Sequence, residues 1–179
     1  MFTDMELLQL KNAVSRILHV PGNDTGGVLE MAIVADYNLP VSALCEGCRQ
    51  IAAMLKKQNE TFRNVRLNLI RWISDGQIEK EVIPLSFLLT GRAFADEADV
   101  KKPENGTTDA ESREKTLDEL FRQLKLFYAR SKVILVLTDG SYRTEDKNMV
   151  KAYLQPFLAK KLLLLQNGEQ ISGIKLFMA

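Results

Sequence analysis

Residues 133–140 read Val-Ile-Leu-Val-Leu-Thr-Asp-Gly. An unbroken apolar run of this length, stopped by an Asp-Gly pair, leaves no polar face. It therefore predicts a central strand covered on both sides by helices. Residues 28–36, Val-Leu-Glu-Met-Ala-Ile-Val-Ala-Asp, form a second short, apolar strand that also ends in an acid. Buried strands of this kind, alternating with helical segments, predict an α/β domain.

Outward from these strands, Leu117, Leu120, Phe121, Leu124, Phe127 and Tyr128 recur at helical spacing, and Thr108 stands three residues before Glu111, the spacing of a capping box. A helix over 41–57 follows the first strand, with Val41, Leu44, Cys45, Cys48, Ile51, Ala52 and Leu55 on its apolar side. Residues 65–74 and 78–85 flank Asp75-Gly76 and predict an antiparallel hairpin. Residues 90–100 predict a short helix, 101–108 an exposed loop, and 144–159 a helix shortened or kinked by Pro156. Two strands, 161–166 and 171–178, close the chain around Asn167-Gly168.

The N-terminal residues 4–18 predict an amphipathic helix ended by Pro21-Gly22, followed by a flexible turn over 22–27. The element order predicts a doubly wound, three-layer fold with a mainly parallel sheet and one antiparallel hairpin. We read residues 1–179 as one domain: a helical extension over 1–27, a core over 28–166 and a C-terminal strand over 167–179. In such sheets a ligand crevice lies outside the carboxyl ends of the strands, near the reversal of strand order, and Asp36 and Asp139 stand at ends of that kind.

Composition narrows the function. Apolar residues make up 46% and charged residues 26%, with Lys+Arg 24 against Asp+Glu 23. No basic excess calls for nucleic acid or an anionic membrane. The first residues lack a basic region followed by an apolar stretch, and the longest apolar runs fall far short of the roughly 20 residues that span a bilayer. The expectation is a soluble, cytoplasmic protein.

Cys45 and Cys48 have C-x-x-C spacing, but the helical pattern places both thiols on a buried face, and His19 is the only histidine. A zinc ribbon needs a second Cys or His pair. There is no phosphate-binding G-x-x-x-x-G-K-[ST], the 22–27 glycines precede a strand instead of following one, and no hydrolase triad can be assembled. Trp72 reads as sheet packing.

What remains is a set of hard oxygen ligands at two strand ends and one helix start, suited to Mg²⁺ or Mn²⁺. Asp36-Tyr37-Asn38-Leu39-Pro40 follows the first strand, Gly106-Thr107-Thr108 precedes a helix, and Val136-Leu137-Thr138-Asp139-Gly140 ends the next strand. In this order and spacing, the three segments resemble the Asp-x-Ser-x-Ser motif, the threonine loop and the aspartate motif of the von Willebrand factor A (vWA) family. The resemblance covers roughly residues 28–166.

The resemblance implies a metal-ion-dependent adhesion site with Asp36, Asn38, Thr107 or Thr108, and Asp139 as ligands. It also implies that the site is degenerate, because Asn38 replaces the first serine and Pro40, with no side-chain ligand, replaces the second. No tightly bound cofactor is the expectation. The same residues also have structural roles open to them: Asp36 capping the following helix, Asp139-Gly140 making a turn, Thr108 acting as an N-cap.

The leading expectation is a non-enzymatic protein-protein interaction module that engages a protein partner through Asp36, Asn38, Thr107 and Asp139. The alternatives are a Mg²⁺-dependent enzyme using Asp36 and Asp139, and a structural subunit that assembles with its own copies.

Overall fold

A computed structural model of the chain describes residues 2–18, 28–57, 64–94, 115–128, 130–131, 133–155, 164–166 and 169–171. Helix α1 spans Asp4–Leu18, strand β1 Val28–Asp36, helix α2 Val41–Lys56, strand β2 Asn64–Ser74 and strand β3 Gln77–Ile83. Helix α3 spans Leu85–Leu89, helix α4 Leu117–Tyr128, strand β4 Val133–Thr138 and helix α5 Lys147–Leu154. Strands β5 and β6 are Leu164–Gln166 and Glu169–Ile171.

The strands form one sheet in the order β3-β2-β1-β4-β5-β6. β1 runs parallel to both β2 and β4, and β4 parallel to β5. β3 returns antiparallel on β2, as the Asp75-Gly76 turn predicts. A second antiparallel pair, β5 with β6, adds to the single hairpin expected from the sequence. The final strand begins at Glu169, two residues before the predicted start.

Alternation along the central strands divides the apolar side chains between two clusters. Met31, Ile33 and Ala35 of β1, with Val133, Leu135 and Leu137 of β4, pack with Leu44, Cys48, Ile51 and Leu55 of α2 and Leu88 of α3. Ala32 and Val34, with Ile134 and Val136, pack with Leu120, Phe121 and Leu124 of α4 and Val150 and Leu154 of α5. Every residue of β4 is buried, which is why its sequence has no polar face. Burying each Val, Leu, Ile, Phe or Met side chain of these clusters contributes roughly 1.5–3 kcal/mol. Buried Asn68 is satisfied by donating from Nδ2 to the Met31 carbonyl, 3.3 Å away.

Several predicted elements are displaced. A short helix not predicted from the sequence, α3, occupies Leu85–Leu89, because Pro84 follows β3 and serves as the helix N-cap with extended backbone. Of the helix expected over 90–100, residues 92–94 form a 3₁₀ turn and 95–100 lie outside the described residues. Thr90 is the C-cap of α3, and Gly91 adopts a positive φ of 76°. α4 begins at Leu117 with Thr116 accepting from the Glu119 amide at 3.3 Å, so Thr116 caps it; Thr108 and Glu111 lie outside the described residues. Phe127 is 61% exposed and leaves the apolar stripe of that helix. α5 is Lys147–Leu154, beginning three residues after the expected start, where Asp146 caps the Asn148 and Met149 amides; residues 156–159 of the expected helix lie outside the described residues.

Also outside the described residues are His19, the 22–27 turn, Pro156, Asn167-Gly168 and the predicted strand beyond residue 171. Cys48 is buried, as the helical pattern predicts, whereas Cys45 is only half-buried, with Arg49 Nη2 3.7 Å from its sulfur. No helix among the described residues is long and apolar enough to cross a membrane.

Candidate functional site

Strand order reverses between β1 and β4. From β1 the chain moves through β2 to β3 on one side, then crosses to β4 and continues to β5 and β6 on the other. Ala35 pairs with Leu137, so the next residues, Asp36 and Thr138, end neighbouring parallel strands side by side. This is the place where an open α/β sheet leaves a crevice.

Asp36 is fully buried, and both of its carboxylate oxygens are engaged. Oδ1 accepts from the Lys115 ammonium and, at 2.9 Å, from the Asn38 amide. Oδ2 accepts from the Thr138 hydroxyl at 2.5 Å. Thr138 Oγ1 in turn accepts from the Gly140 amide at 3.1 Å, and Gly140 has a positive φ of 84°. Asp139, partly exposed, accepts from the Ser141 amide at 2.9 Å.

Lys115 is the residue that sequence reasoning missed. Its side chain is 4% exposed, and Nζ donates both to Asp36 and, at 2.7 Å, to the Trp72 carbonyl. That carbonyl also accepts from the Tyr37 amide at 3.0 Å. The ammonium lies 5.2 Å from the Trp72 ring centroid, and the Tyr142 ring lies 6.2 Å from that of Trp72. Trp72 is buried, in keeping with its reading as sheet packing. Burial pushes the Lys115 amine below its ordinary range, opposed by its hydrogen bond to Asp36 and by the charges of Asp36 and Asp139. Burial, followed by the Asp36 charge, pushes the Tyr142 phenol upward.

The chain around Lys115 is pinned on both flanks. Its carbonyl accepts from the Arg143 amide at 3.0 Å, and the Arg143 carbonyl accepts from the Leu117 amide at 3.0 Å. Thr116 donates from its amide and its hydroxyl to Asp75 Oδ1, at 3.0 and 2.7 Å. Asp118 then accepts from the Glu145 and Asp146 amides, tying α4 to the segment that follows β4. The Asp75-Gly76 turn thus does more than close a hairpin: it fixes the residue next to the buried lysine.

Asp36 and Thr138 are thus joined by a hydrogen bond, and Asp139, expected beside Asp36, directly follows Thr138 at the end of β4. Asn38 contributes its backbone amide, while its residue surface is exposed. Pro40 is the N-cap of α2 and no side chain caps that helix, so Asp36 serves the turn at Asn38 in place of the helix-capping role open to it. Thr107 and Thr108 lie outside the described residues.

Asp36 supplies a hard oxygen suited to Mg²⁺ or Mn²⁺, but that oxygen already holds an ammonium. Magnesium sits about 2.0–2.1 Å from its oxygen ligands and demands near-octahedral geometry. A dication at Asp36 would have to expel the Lys115 side chain, so the described residues do not fit the ion alongside it. A short signal did mark the position: Lys115 directly precedes Thr116-x-x-Glu119, a second capping pattern in the same stretch. Compared with known protein families and with curated proteins, the chain matches none.

Proposed function

We propose that the chain is a vWA-like, three-layer domain that acts as a non-enzymatic protein-protein interaction module, docking a partner at the carboxyl edge of its sheet. One observation carries the reading: Asp36 and the Thr138-Asp139 pair end adjacent parallel strands at the reversal of strand order. Asn38 and Asp139 border a floor whose buried charges are already paired, leaving a rigid, polar rim. Rigid scaffolds that present loop residues in this way are suited to recognition. Thr107 completes the proposed surface by family resemblance.

The test is site-specific photo-cross-linking in cells from position 38 or 139, with exposed Lys57, at the C-terminal end of α2, as the control position. The expected result is a discrete protein adduct from 38 and 139, suppressed by Asp139→Lys in the position-38 protein. Equal labelling from all three positions, or adducts from Lys57 alone, overturns the proposal.

A further inference from the structure

We propose that the Lys115 ammonium is a built-in replacement for a metal ion: a cation tethered to the chain that fills the oxygen-lined niche at the end of β1 and closes it to divalent ions. The proposal rests on the geometry around Asp36 and holds whether or not a protein docks on that edge.

The niche has the character of a cation site. Asp36 Oδ1 and the Trp72 carbonyl both point at Lys115 Nζ, and Asp139 adds negative potential nearby. Thr138 turns its hydroxyl hydrogen onto the other oxygen of Asp36, fixing the carboxylate plane. Oxygen-only donors around one positive centre are what a hard cation selects. Here the positive centre is an amine carried by the residue just ahead of α4.

Delivery of that amine is built into the fold. Lys115 accepts from the Arg143 amide through its carbonyl, and its neighbour Thr116 is fastened twice to Asp75. The lysine thus bridges the ends of β1 and β2 with its side chain, while its carbonyl holds the segment that follows β4. A divalent ion arriving at Asp36 would meet a like charge within hydrogen-bonding distance of its ligand, and Pro40 offers it no side chain. The ammonium needs only donors directed at oxygen, with no octahedral shell.

Removing the amine should open the niche to ions. The probe is Mn²⁺, followed as paramagnetic broadening of backbone amide signals in wild type, Lys115→Met and Lys115→Gln. In wild type, millimolar Mn²⁺ is expected to leave the amides of residues 36–38 and 138–140 no broader than other surface amides. In Lys115→Met or Lys115→Gln, saturable broadening centred on those residues is expected, reversed by EDTA and competed by Mg²⁺. Selective, saturable broadening there in wild type overturns the proposal, as does a folded Lys115 variant that shows none. Should both variants unfold, the wild-type spectrum alone decides.

Discussion

Lys115 and Asp36 form an ion pair inside the sheet's carboxyl edge although 79 residues separate them in sequence. Their side chains are 4% and 0% exposed, so neither charge is shared with solvent to any extent that matters. Such a pair is poor grounds for expecting a large net gain, since desolvating two ions cancels much of their attraction. Breaking it from one side is different, because the surviving charge is stranded. We expect Lys115→Met and Asp36→Asn each to cost about 3–5 kcal/mol. The double variant should lose clearly less than the sum, by at least about 1 kcal/mol, in urea unfolding. Simple additivity would mean the two groups are not in contact.

The same pair shows why the site was harder to read than the fold. β4 was legible because burial on both faces removes every polar residue from a run of sequence, a local mark. α3 was missed because Leu85-Ser-Phe-Leu-Leu89 is apolar enough to read as an extension of the preceding strand, and Pro84, the true boundary, was passed over. Lys115 carried no local mark of burial. Lysines are almost never fully buried unless paired, and this one's partner, Asp36, ends β1, brought near only by the folded topology. Thr116-x-x-Glu119 could have located the start of α4, but the identical spacing at Thr108 and Glu111 competed with it.

Asp75 stands in a turn, yet its carboxylate holds the Thr116 amide and hydroxyl. Thr116 is buried, so Asp75→Ala leaves a backbone N–H without its acceptor. The expected loss is about 1–3 kcal/mol. Asp75→Asn keeps one acceptor oxygen and should lose less. Because Thr116 adjoins Lys115, hydrogen exchange should also quicken at the Arg143 amide, which donates to the Lys115 carbonyl. Unchanged protection at Arg143 in Asp75→Ala would separate the turn from the anchoring of the lysine.

Two buried groups give alkaline pH opposite effects on stability. Burial, with the half-buried Cys45 adding to it, pushes the Cys48 thiol from its ordinary 9.0 to about 12. Between those values the folded state binds more protons than the unfolded state, so this contribution is intact below pH 9 and is lost as pH rises toward 12. Lys115 is shifted the other way, lowered from 10.5 chiefly by burial. In its window, just below 10.5, the unfolded chain binds more protons and stability rises with pH. Relative to wild type, Cys48→Ala should therefore flatten the decline above pH 9, and Lys115→Met should steepen it. The measurement is the urea midpoint from pH 8 to 11. Parallel curves for wild type and Cys48→Ala would show that the thiol ionises as freely as in the unfolded chain.

Gly91 and Gly76 predict opposite responses to the same substitution. Gly91 follows the C-cap of α3 with φ 76°, and its amide donates to the Leu88 carbonyl at 3.3 Å while its carbonyl accepts from Phe94 at 3.1 Å. A Cβ there would lie 2.9 Å from Arg49 Nη2 and 3.0 Å from Cys45 Sγ. The arginine tip can swing away, so most of the penalty is the left-handed backbone, about 1–2 kcal/mol for an L-residue. Gly91→Asn should lose less than Gly91→Ala, because asparagine tolerates that region through local hydrogen bonding. At Gly76 a Cβ meets nothing within 4 Å, so Gly76→Ala should fall within about 0.5 kcal/mol of wild type. Urea midpoints give the ranking. If Gly91→Ala matches Gly76→Ala, the left-handed turn after α3 is not a constraint on the fold.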